Sequence, residues 1–217
     1  MKSITVSSVA YQIDGQAYEG RLAFDPSRED PLPGLLMAPN WMGISAAAEE
    51  IAKSVAEQGY VVLIADLYGQ AIRPGDADEA GAAMMPLKND RALLRKRMWA
   101  AYDALKNQGL AQVDSSKLAT FGFCFGGCCS LELARSGAPL LAAVSFHGNL
   151  DTPNPIDAQS IKGSVLVLHG ASDPLVPNEQ LPVFAAEMNA ASVDWQLTSY
   201  AARCIPSPTR MPMCRAR

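Results

Sequence analysis

The stretch LATFGFCFGGCCS, residues Leu118 to Ser130, decides how this chain folds. Its first half reads as a short apolar strand from Leu118 to Phe123, and its second half predicts a helix that starts directly after Cys124. Residues Gly122 to Gly127 match the pattern G-x-nucleophile-x-G-G, with a cysteine where serine is more usual. This strand-to-helix turn is called the nucleophile elbow, or the elbow for short. Because such a turn strains the backbone of the nucleophile, the positions two before and two after it must lack side chains. The stretch therefore predicts a strand, a sharp turn and a helix that hold a thiol at the tip of a sheet.

The same turn has electrostatic consequences for the thiol. It directs the backbone N–H of Phe125 at the space beside the sulfur of Cys124, where the negative oxygen of a tetrahedral intermediate would sit. The N-terminus of the following helix favours thiolate over thiol. Two other interpretations stay open: a glycine-rich turn whose cysteine only packs, and a dinucleotide site, although neither G-x-G-x-x-G nor Gly-Lys-Ser/Thr is present.

Composition narrows the class of protein. A chain of 217 residues, 49% of them hydrophobic, is long enough for one well-buried domain. The net charge of -4 and the lack of a Lys/Arg stripe argue against nucleic acid and anionic membranes as partners. No apolar run approaches membrane-spanning length. Five cysteines and two histidines form neither a disulfide framework nor a zinc site, so we expect a soluble, cytoplasmic protein without a metal.

The order of predicted elements indicates an α/β fold. Residues Ile4 to Phe24 alternate around an Asp14-Gly15 turn and predict an antiparallel hairpin at a sheet edge, and Pro31 to Gly34 predicts a turn. Strands then alternate with helices, which predicts a doubly wound, mostly parallel sheet in a single domain over residues 1–200, with residues 201–217 as an aberrant, disordered tail. The later strands are predicted at Leu35–Ala38, Tyr60–Ala65, Leu118–Phe123, Leu140–Phe146, Val165–His169 and Val193–Tyr200.

In such a sheet, binding and catalytic residues typically lie at the carboxyl ends of the strands. The candidate residues at these ends are Asn40, Trp41, Cys124, His147, His169 and Asp173. Asp173 follows a buried strand in LVLHGASDPLVP and comes after Cys124 in the chain, as the order nucleophile, acid, histidine of this fold requires. Its carboxylate would orient a histidine and stabilise the cationic form. The alternative is that Asp173 merely caps the turn before Pro174.

Five segments together resemble the dienelactone hydrolase family. They are APNWMG after the first core strand, Ala65-Asp66-Leu67-Tyr68 after the next, GFCFGG at the elbow, SFHG at Ser145 to Gly148, and LHGASDPLVP around Asp173. The resemblance covers roughly Gly34 to Tyr200. It implies an α/β-hydrolase fold and a Cys-His-Asp triad that cleaves small-molecule lactones and esters without a cofactor. By the same resemblance, Cys124 is the nucleophile, Asp173 the triad acid, and the N–H groups of Phe125 and Trp41 the oxyanion hole.

The sequence departs from the family's pattern at Asn40, where family members that act on dienelactone have a glutamate thought to help ionise the thiol. Asn40 cannot take a proton, and the alternative role for its amide is to satisfy loop backbone. The resemblance implies that His147 and His169 line the site as hydrogen-bonded structural residues rather than as the triad base. The segment from Asp66 to Asp90 is rich in Gly and Asp and is expected to be irregular. Three cations in or near it are candidates for binding a substrate carboxylate, or are simply solvated: Arg73, Arg91 and Arg95.

The family's triad histidine is expected in a turn G-x-x-H-x-F after the last strand, but AARCIPSPTRMPMCRAR follows Tyr200. We interpret this tail as the product of a one-base deletion near codons 200 and 201. If plausible codons are written for the tail and one G is restored before them, the translated amino-acid sequence becomes GGAVHSFTDPDANVPGKA. Any codons for Cys204-Ile205 then give only histidine or tyrosine in the shifted frame. An ordinary disordered basic tail is the alternative.

This interpretation predicts a hydrolase with its nucleophile, acid and oxyanion hole but without its base, and with apolar sheet surface exposed where a last helix is missing. Two other functions stay open. One is a non-catalytic protein with a reactive or redox-responsive Cys124. The other is a serine-type esterase lineage that exchanged its nucleophile.

Overall fold

One eight-stranded sheet organises the structure, a computed structural model that describes residues 3–201. The strands are β1 (Thr5–Ile13), β2 (Gln16–Phe24), β3 (Leu32–Ala38), β4 (Val61–Ile64), β5 (Val113–Phe123), β6 (Ala142–Phe146), β7 (Ser164–Gly170) and β8 (Trp195–Tyr200). The helices are α1 (Ala46–Ala56), α2 (Ala77–Asn89), α3 (Arg91–Asn107), α4 (Phe125–Arg135) and α5 (Gln180–Ala190), with a 3-10 helix at Pro155–Ser160. The tail interpreted as frameshifted lies outside the described residues, apart from Ala201.

The strand order is β1-β2-β4-β3-β5-β6-β7-β8. The hairpin turns at Asp14 and Gly15, whose φ angles of 52° and 80° match the turn that two-residue hairpins favour. It pairs antiparallel with β4, and every later pair of neighbouring strands is parallel. The prediction of a mostly parallel α/β sheet with an antiparallel N-terminal hairpin at its edge is therefore confirmed.

The predicted turn at Pro31 to Gly34 is wrong, because β3 already begins at Leu32. Leu32 and Pro33 pair with the first residues of β5, and the register shifts between Pro33 and Gly34. This irregularity accommodates a proline inside a strand. Gly34 lies so close to β5 that a Cβ there would be 2.7 Å from the Leu118 side chain. Pro33 and Gly34 therefore mark a bulge in β3, and the strand continues through it.

Helices lie on both faces of the sheet. Neighbouring residues of a strand point to opposite faces, so Leu36 and Met37 of β3 belong to different cores. Met37 packs with the alanines of α1, whereas Leu36 packs with Leu94 and Met98 of α3 and with α4. Within residues 3–201, no helix combines the length and apolar character that crossing a membrane requires.

A buried ionic network holds α4 in place. The Arg135 side chain is fully buried and donates to Glu187 of α5 at 2.7 Å and to Glu132 at 3.0 Å. Glu132 also accepts from Arg95 of α3 at 2.8 Å. Because each buried charge has oppositely charged partners, the network ties α4 to both neighbouring helices. The position of the helix that begins after Cys124 is thereby restricted.

An apolar groove of about 510 Å³ lies on the sheet face that α1 covers only in part. Its floor includes Leu35, Phe123, Val144 and Phe146, and Leu141 stands at its rim with 58% of its surface exposed. Part of this sheet face is therefore apolar and accessible among the described residues.

We expect the groove to bind hydrophobic dyes and to promote association. Substituting Leu141→Gln should lower the fluorescence of bound 8-anilinonaphthalene-1-sulfonate and slow light-scattering growth at 37 °C, since it places a polar group at the rim. The matched control is Leu110→Gln, because Leu110 is 48% exposed but lies outside the groove. Equal effects of both substitutions would show that general surface polarity, and not the groove, controls association.

Candidate active site

Cys124 occupies the sharp turn between β5 and α4. Its φ of 55° and ψ of -120° lie in a region that strains any residue with a side chain. Two hydrogen bonds fix the turn: the Cys124 N–H donates to the Phe146 carbonyl, and the Gly127 N–H donates to the Cys124 carbonyl, both at 2.9 Å. The side chain is neither fully buried nor fully exposed. The turn and the start of the helix thus occur at the predicted residues, whereas the strand ends as predicted but begins earlier, at Val113.

The glycines around Cys124 are required by backbone contacts. A Cβ at Gly122 would lie 2.1 Å from the Gly126 carbonyl oxygen, and one at Gly126 would lie 2.1 Å from the Ala38 carbonyl oxygen. A Cβ at Gly127 would meet the Ser145 hydroxyl at 2.6 Å. Real Cβ atoms essentially never approach other heavy atoms so closely, so only glycine fits. The elbow therefore packs directly on the end of β3.

The loop after β3 holds the second candidate oxyanion donor. The Asn40 side chain accepts from the Met42 N–H at 2.9 Å, and its carbonyl accepts from the Gly43 N–H at 2.9 Å. Asn40 thus satisfies loop backbone, which is the structural role that the sequence analysis considered for it. No hydrogen bond among residues 3–201 engages the N–H of Trp41, whereas the N–H of Phe125 is directed at the sulfur of Cys124.

Asp173 follows β7 and combines two roles. Its Oδ1 accepts from the Leu175 N–H at 2.9 Å, so it does cap the turn. Its charge also raises the pKa values of both Cys124 and His147, which places the carboxylate within electrostatic range of the two side chains. The structure therefore brings Cys124, Asp173 and His147 to one end of the sheet.

The pKa of the Cys124 thiol is raised above its ordinary value of 9.0. Burial is the largest cause, and the Asp173 carboxylate adds to it. The Phe125 N–H at the start of α4 lowers the pKa, as does Lys88, but burial outweighs both. The helix N-terminus thus favours the thiolate as expected, but burial of the elbow has the larger effect and the net pKa is raised.

The two histidines lie in different surroundings. Burial lowers the pKa of His147 more than Asp173 raises it, so its imidazole is neutral at pH 7. His147 also has a φ of 45°, a second strained position at a strand end. His169 is 1% exposed, and its Nε2 has no hydrogen-bond partner within residues 3–201. A structural histidine is expected to be hydrogen-bonded, and for His169 this expectation fails at Nε2 among these residues.

The three candidate arginines all form specific contacts. Arg73 pairs with Asp66 at 3.2 Å, Arg91 contacts the Cys128 sulfur at 2.9 Å, and Arg95 bridges two carboxylates. None of them is a merely solvated surface charge. The cation whose charge acts on Cys124 is Lys88, an exposed residue of α2. Nothing in the local sequence singles out Lys88, because its proximity to the thiol arises from the packing of α2.

The other described cysteines are poor nucleophiles. Cys128 and Cys129 are buried in α4. Burial raises the pKa of Cys128 to about 11, and that of Cys129 well above its ordinary value. A thiol reacts as its thiolate, so Cys124 is the accessible candidate among the three.

Comparison with known proteins agrees with this geometry. The model of the dienelactone hydrolase family matches residues 19–203. A dienelactone hydrolase-like promiscuous phosphotriesterase from metagenomic libraries is 39% identical, has a TM-score of 0.84, and aligns over 91% of this chain and 82% of its own. A probable 2-oxo-3-(5-oxofuran-2-ylidene)propanoate lactonase from Bradyrhizobium is 28% identical over 84% of this chain and 77% of its own length. A putative carboxymethylenebutenolidase from Yersinia pestis is 28% identical over 78% of this chain and 66% of its own length.

The chain belongs to the dienelactone hydrolase family, whose members are lactone and ester hydrolases of the α/β-hydrolase fold. The resemblance seen in the sequence motifs is thereby confirmed. The chain spans about two thirds to three quarters of the length of these two curated relatives.

We expect Gly126→Ala to destabilise the protein by about 3 kcal/mol or more, because its Cβ would collide with a backbone carbonyl that cannot move aside. Thermal unfolding followed by circular dichroism measures this. The control is Gly81→Ala within α2, where a Cβ meets nothing within 4 Å. That variant should gain about 0.5–1 kcal/mol. A Gly126→Ala protein as stable as the parent would contradict the close backbone contact.

Charge substitutions should shift the reactivity of Cys124 in opposite directions. Asp173→Asn removes a charge that raises the thiol pKa, so more thiolate exists at pH 8 and alkylation by iodoacetamide should accelerate. Lys88→Met removes a charge that lowers the pKa, so alkylation should slow. Changes of roughly two- to fivefold are expected for charges in this partly solvated site. Site-resolved mass spectrometry of alkylated Cys124 measures both rates, and equal rates in all three proteins would contradict the electrostatic coupling.

Proposed function

We propose that this protein cleaves a small-molecule lactone or carboxylic ester through the Cys124 thiolate. The sulfur attacks the carbonyl carbon, and the N–H groups of Phe125 and Trp41 bind the resulting oxyanion. Collapse of the tetrahedral intermediate expels the alcohol, which leaves an acyl group on sulfur as a thioester. Water then hydrolyses the thioester, releasing the acid and the thiol. We also propose that residues 1–200 form one hydrolase domain.

The observation that carries the proposal is the backbone conformation of Cys124. Strain of this kind persists only where surrounding structure enforces it, and here the close backbone contacts of Gly122 and Gly126 enforce it. In this conformation a partly buried sulfur lies beside the Phe125 N–H at the start of α4. Relatives described as lactonase and carboxymethylenebutenolidase support a lactone or ester as the substrate class.

In this proposal the chain has no histidine assigned as the general base of the triad. Its only histidines are His147 and His169, and in our proposal neither is the triad base that Asp173 would orient. With Asn40 unable to take a proton and the Cys124 pKa raised, the resting thiol is mainly protonated at pH 7. Acylation should therefore be slow and base-dependent, and hydrolysis of the thioester slower still. We propose that an intact form carries the histidine in the turn after Tyr200, lost here through the shifted reading frame.

The test uses p-nitrophenyl acetate with two chains. The first is the protein as it stands, and the second replaces the residues after Tyr200 by GGAVHSFTDPDANVPGKA. We expect a slow, stoichiometric release of nitrophenol from the first chain, with an acetyl group on Cys124 found by mass spectrometry. The second chain should turn over, faster by about a thousandfold or more, because it regains a triad member that acts together with the others.

Two cysteine variants serve as controls. Cys124→Ala should abolish acylation in both chains, and Cys124→Ser should remain inactive unless the site derives from a serine-type esterase. If neither chain is acetylated while Cys124 still reacts with alkylating agents, the protein has a reactive thiol and no esterase function. The redox-responsive alternative needs the same thiolate that burial suppresses, so acylation of Cys124, and not its pKa, separates the two functions. The DNA sequence across codons 195–217 tests the frameshift directly.

A further inference from the structure

Tyr68, which follows β4, contacts the loop of one candidate oxyanion donor, Trp41, and has no role in the proposed reaction described above. It is 3% exposed and belongs to the same buried cluster as Phe125 and Cys129, against which Trp41 packs. Burial and then the charges of Cys129 and Cys124 raise the pKa of Tyr68, so its hydroxyl stays neutral and lies near both sulfurs. Tyr68 is thus an uncharged hydrogen-bond donor inside the site.

The Tyr68 hydroxyl donates to the Trp41 carbonyl oxygen at 2.8 Å. Its ring also packs on Gly43, where a Cβ would lie 3.1 Å from two ring carbons and where φ is +70°. The loop from Pro39 to Gly43 is therefore held at two points by one side chain. On the other side of Trp41, the Asn40 amide accepts from Met42, as described above.

A buried carboxylate fixes Tyr68 in turn. Asp66 is 2% exposed, and it accepts from the backbone N–H groups of Tyr68 at 3.1 Å and Gly69 at 3.0 Å. It further accepts from the Glu19 N–H at 3.0 Å and pairs with Arg73 at 3.2 Å. A carboxylate with this many donors holds the backbone of Tyr68 rigidly, so the position of the hydroxyl is defined.

We propose that Tyr68 is a positioning residue: its hydroxyl holds the Trp41 carbonyl so that the Trp41 N–H stays directed at the oxyanion formed on Cys124. The inference rests on the proposed function. The Trp41 C=O and N–H belong to the two peptide groups that share the Trp41 Cα, so a shift of this residue displaces both. Without the hydroxyl, a part-buried carbonyl loses its donor, and the loop moves to bring it to another partner, which carries the Trp41 N–H away from its position.

Two reactions of Cys124 separate this role from a general effect on the thiol. Acylation by p-nitrophenyl acetate passes through an oxyanion, whereas alkylation by iodoacetamide does not. Loss of one oxyanion donor typically costs about a hundredfold to a thousandfold in rate. Because Tyr68→Phe misdirects a donor without deleting it, we expect acylation to slow roughly 10- to 100-fold. Alkylation and its pH profile should stay within about threefold, since the thiolate itself is unchanged.

The matched control is Tyr102→Phe, which removes a hydroxyl from another tyrosine that is 3% exposed but lies in α3 away from the loop. It should change neither rate. Gly43→Ala is a second way to disturb the loop, should Tyr68→Phe fail to fold, and it should reproduce the selective loss of acylation. Circular dichroism melting confirms that each variant is folded at the assay temperature.

A parallel fall in acylation and alkylation, or no change in either, would overturn the positioning role. If the parent protein is alkylated at Cys124 but never acylated, the proposed function fails, and the inference fails with it for that distinct reason. Selective loss of acylation in Tyr68→Phe and Gly43→Ala, with Tyr102→Phe unchanged, is the result that the hydrogen bond to Trp41 predicts.

Discussion

The contact between the backbone of Gly126 and the carbonyl of Ala38 is the constraint on which the site depends. It allows the helix after Cys124 to begin against the end of β3, with no side chain between them. The loop that carries Trp41 starts at that same strand end, so the contact brings the two candidate oxyanion donors together. The geometry of the site thus follows from a distance that only glycine permits.

Strain and burial at Cys124 are balanced by interactions elsewhere in the fold. A residue held in such a backbone conformation typically destabilises a protein by about 1–3 kcal/mol. The helix that enforces it is anchored by Arg135, Glu132 and Glu187, whose buried charges are mutually satisfied. Removing one partner of a buried pair usually destabilises by about 3–5 kcal/mol. Because a shift of α4 would leave buried charges unpaired, the network restricts the position of the helix that follows the strained elbow.

Local patterns in the sequence predicted the fold and the positions of the candidate residues, and quantities that depend on packing could not be predicted. Glycines at fixed spacing around Cys124 are a local signal, and so is the alternation of the hairpin. The pKa of Cys124 depends on how deep the elbow lies, which no short motif encodes. The turn predicted at Pro33 was wrong because the extended start of β5, a distant segment, supplies its partner.

Other site features were missed because they join residues far apart in sequence. Lys88 acts on the thiol through the placement of α2, and Tyr68 acts on Trp41 across 27 residues of chain. Tyr68 belongs to a quoted family motif, yet the motif carries no information on where its hydroxyl points. Pairing of Arg73 with Asp66 likewise appears only once the loop after β4 is folded.

The strands β1 and β2 lie at one edge of the sheet, yet they form hydrogen bonds that support a loop of the candidate active site. The Tyr11 hydroxyl of β1 donates to the Asp66 carbonyl, and the Glu19 N–H of β2 donates to the Asp66 carboxylate, the group that holds Tyr68. The terminal hairpin is thus a structural support for the loop beside the sulfur. Under the proposed function, remote substitutions that loosen this hairpin would alter the rate of carbonyl attack without replacing any residue proposed to touch substrate.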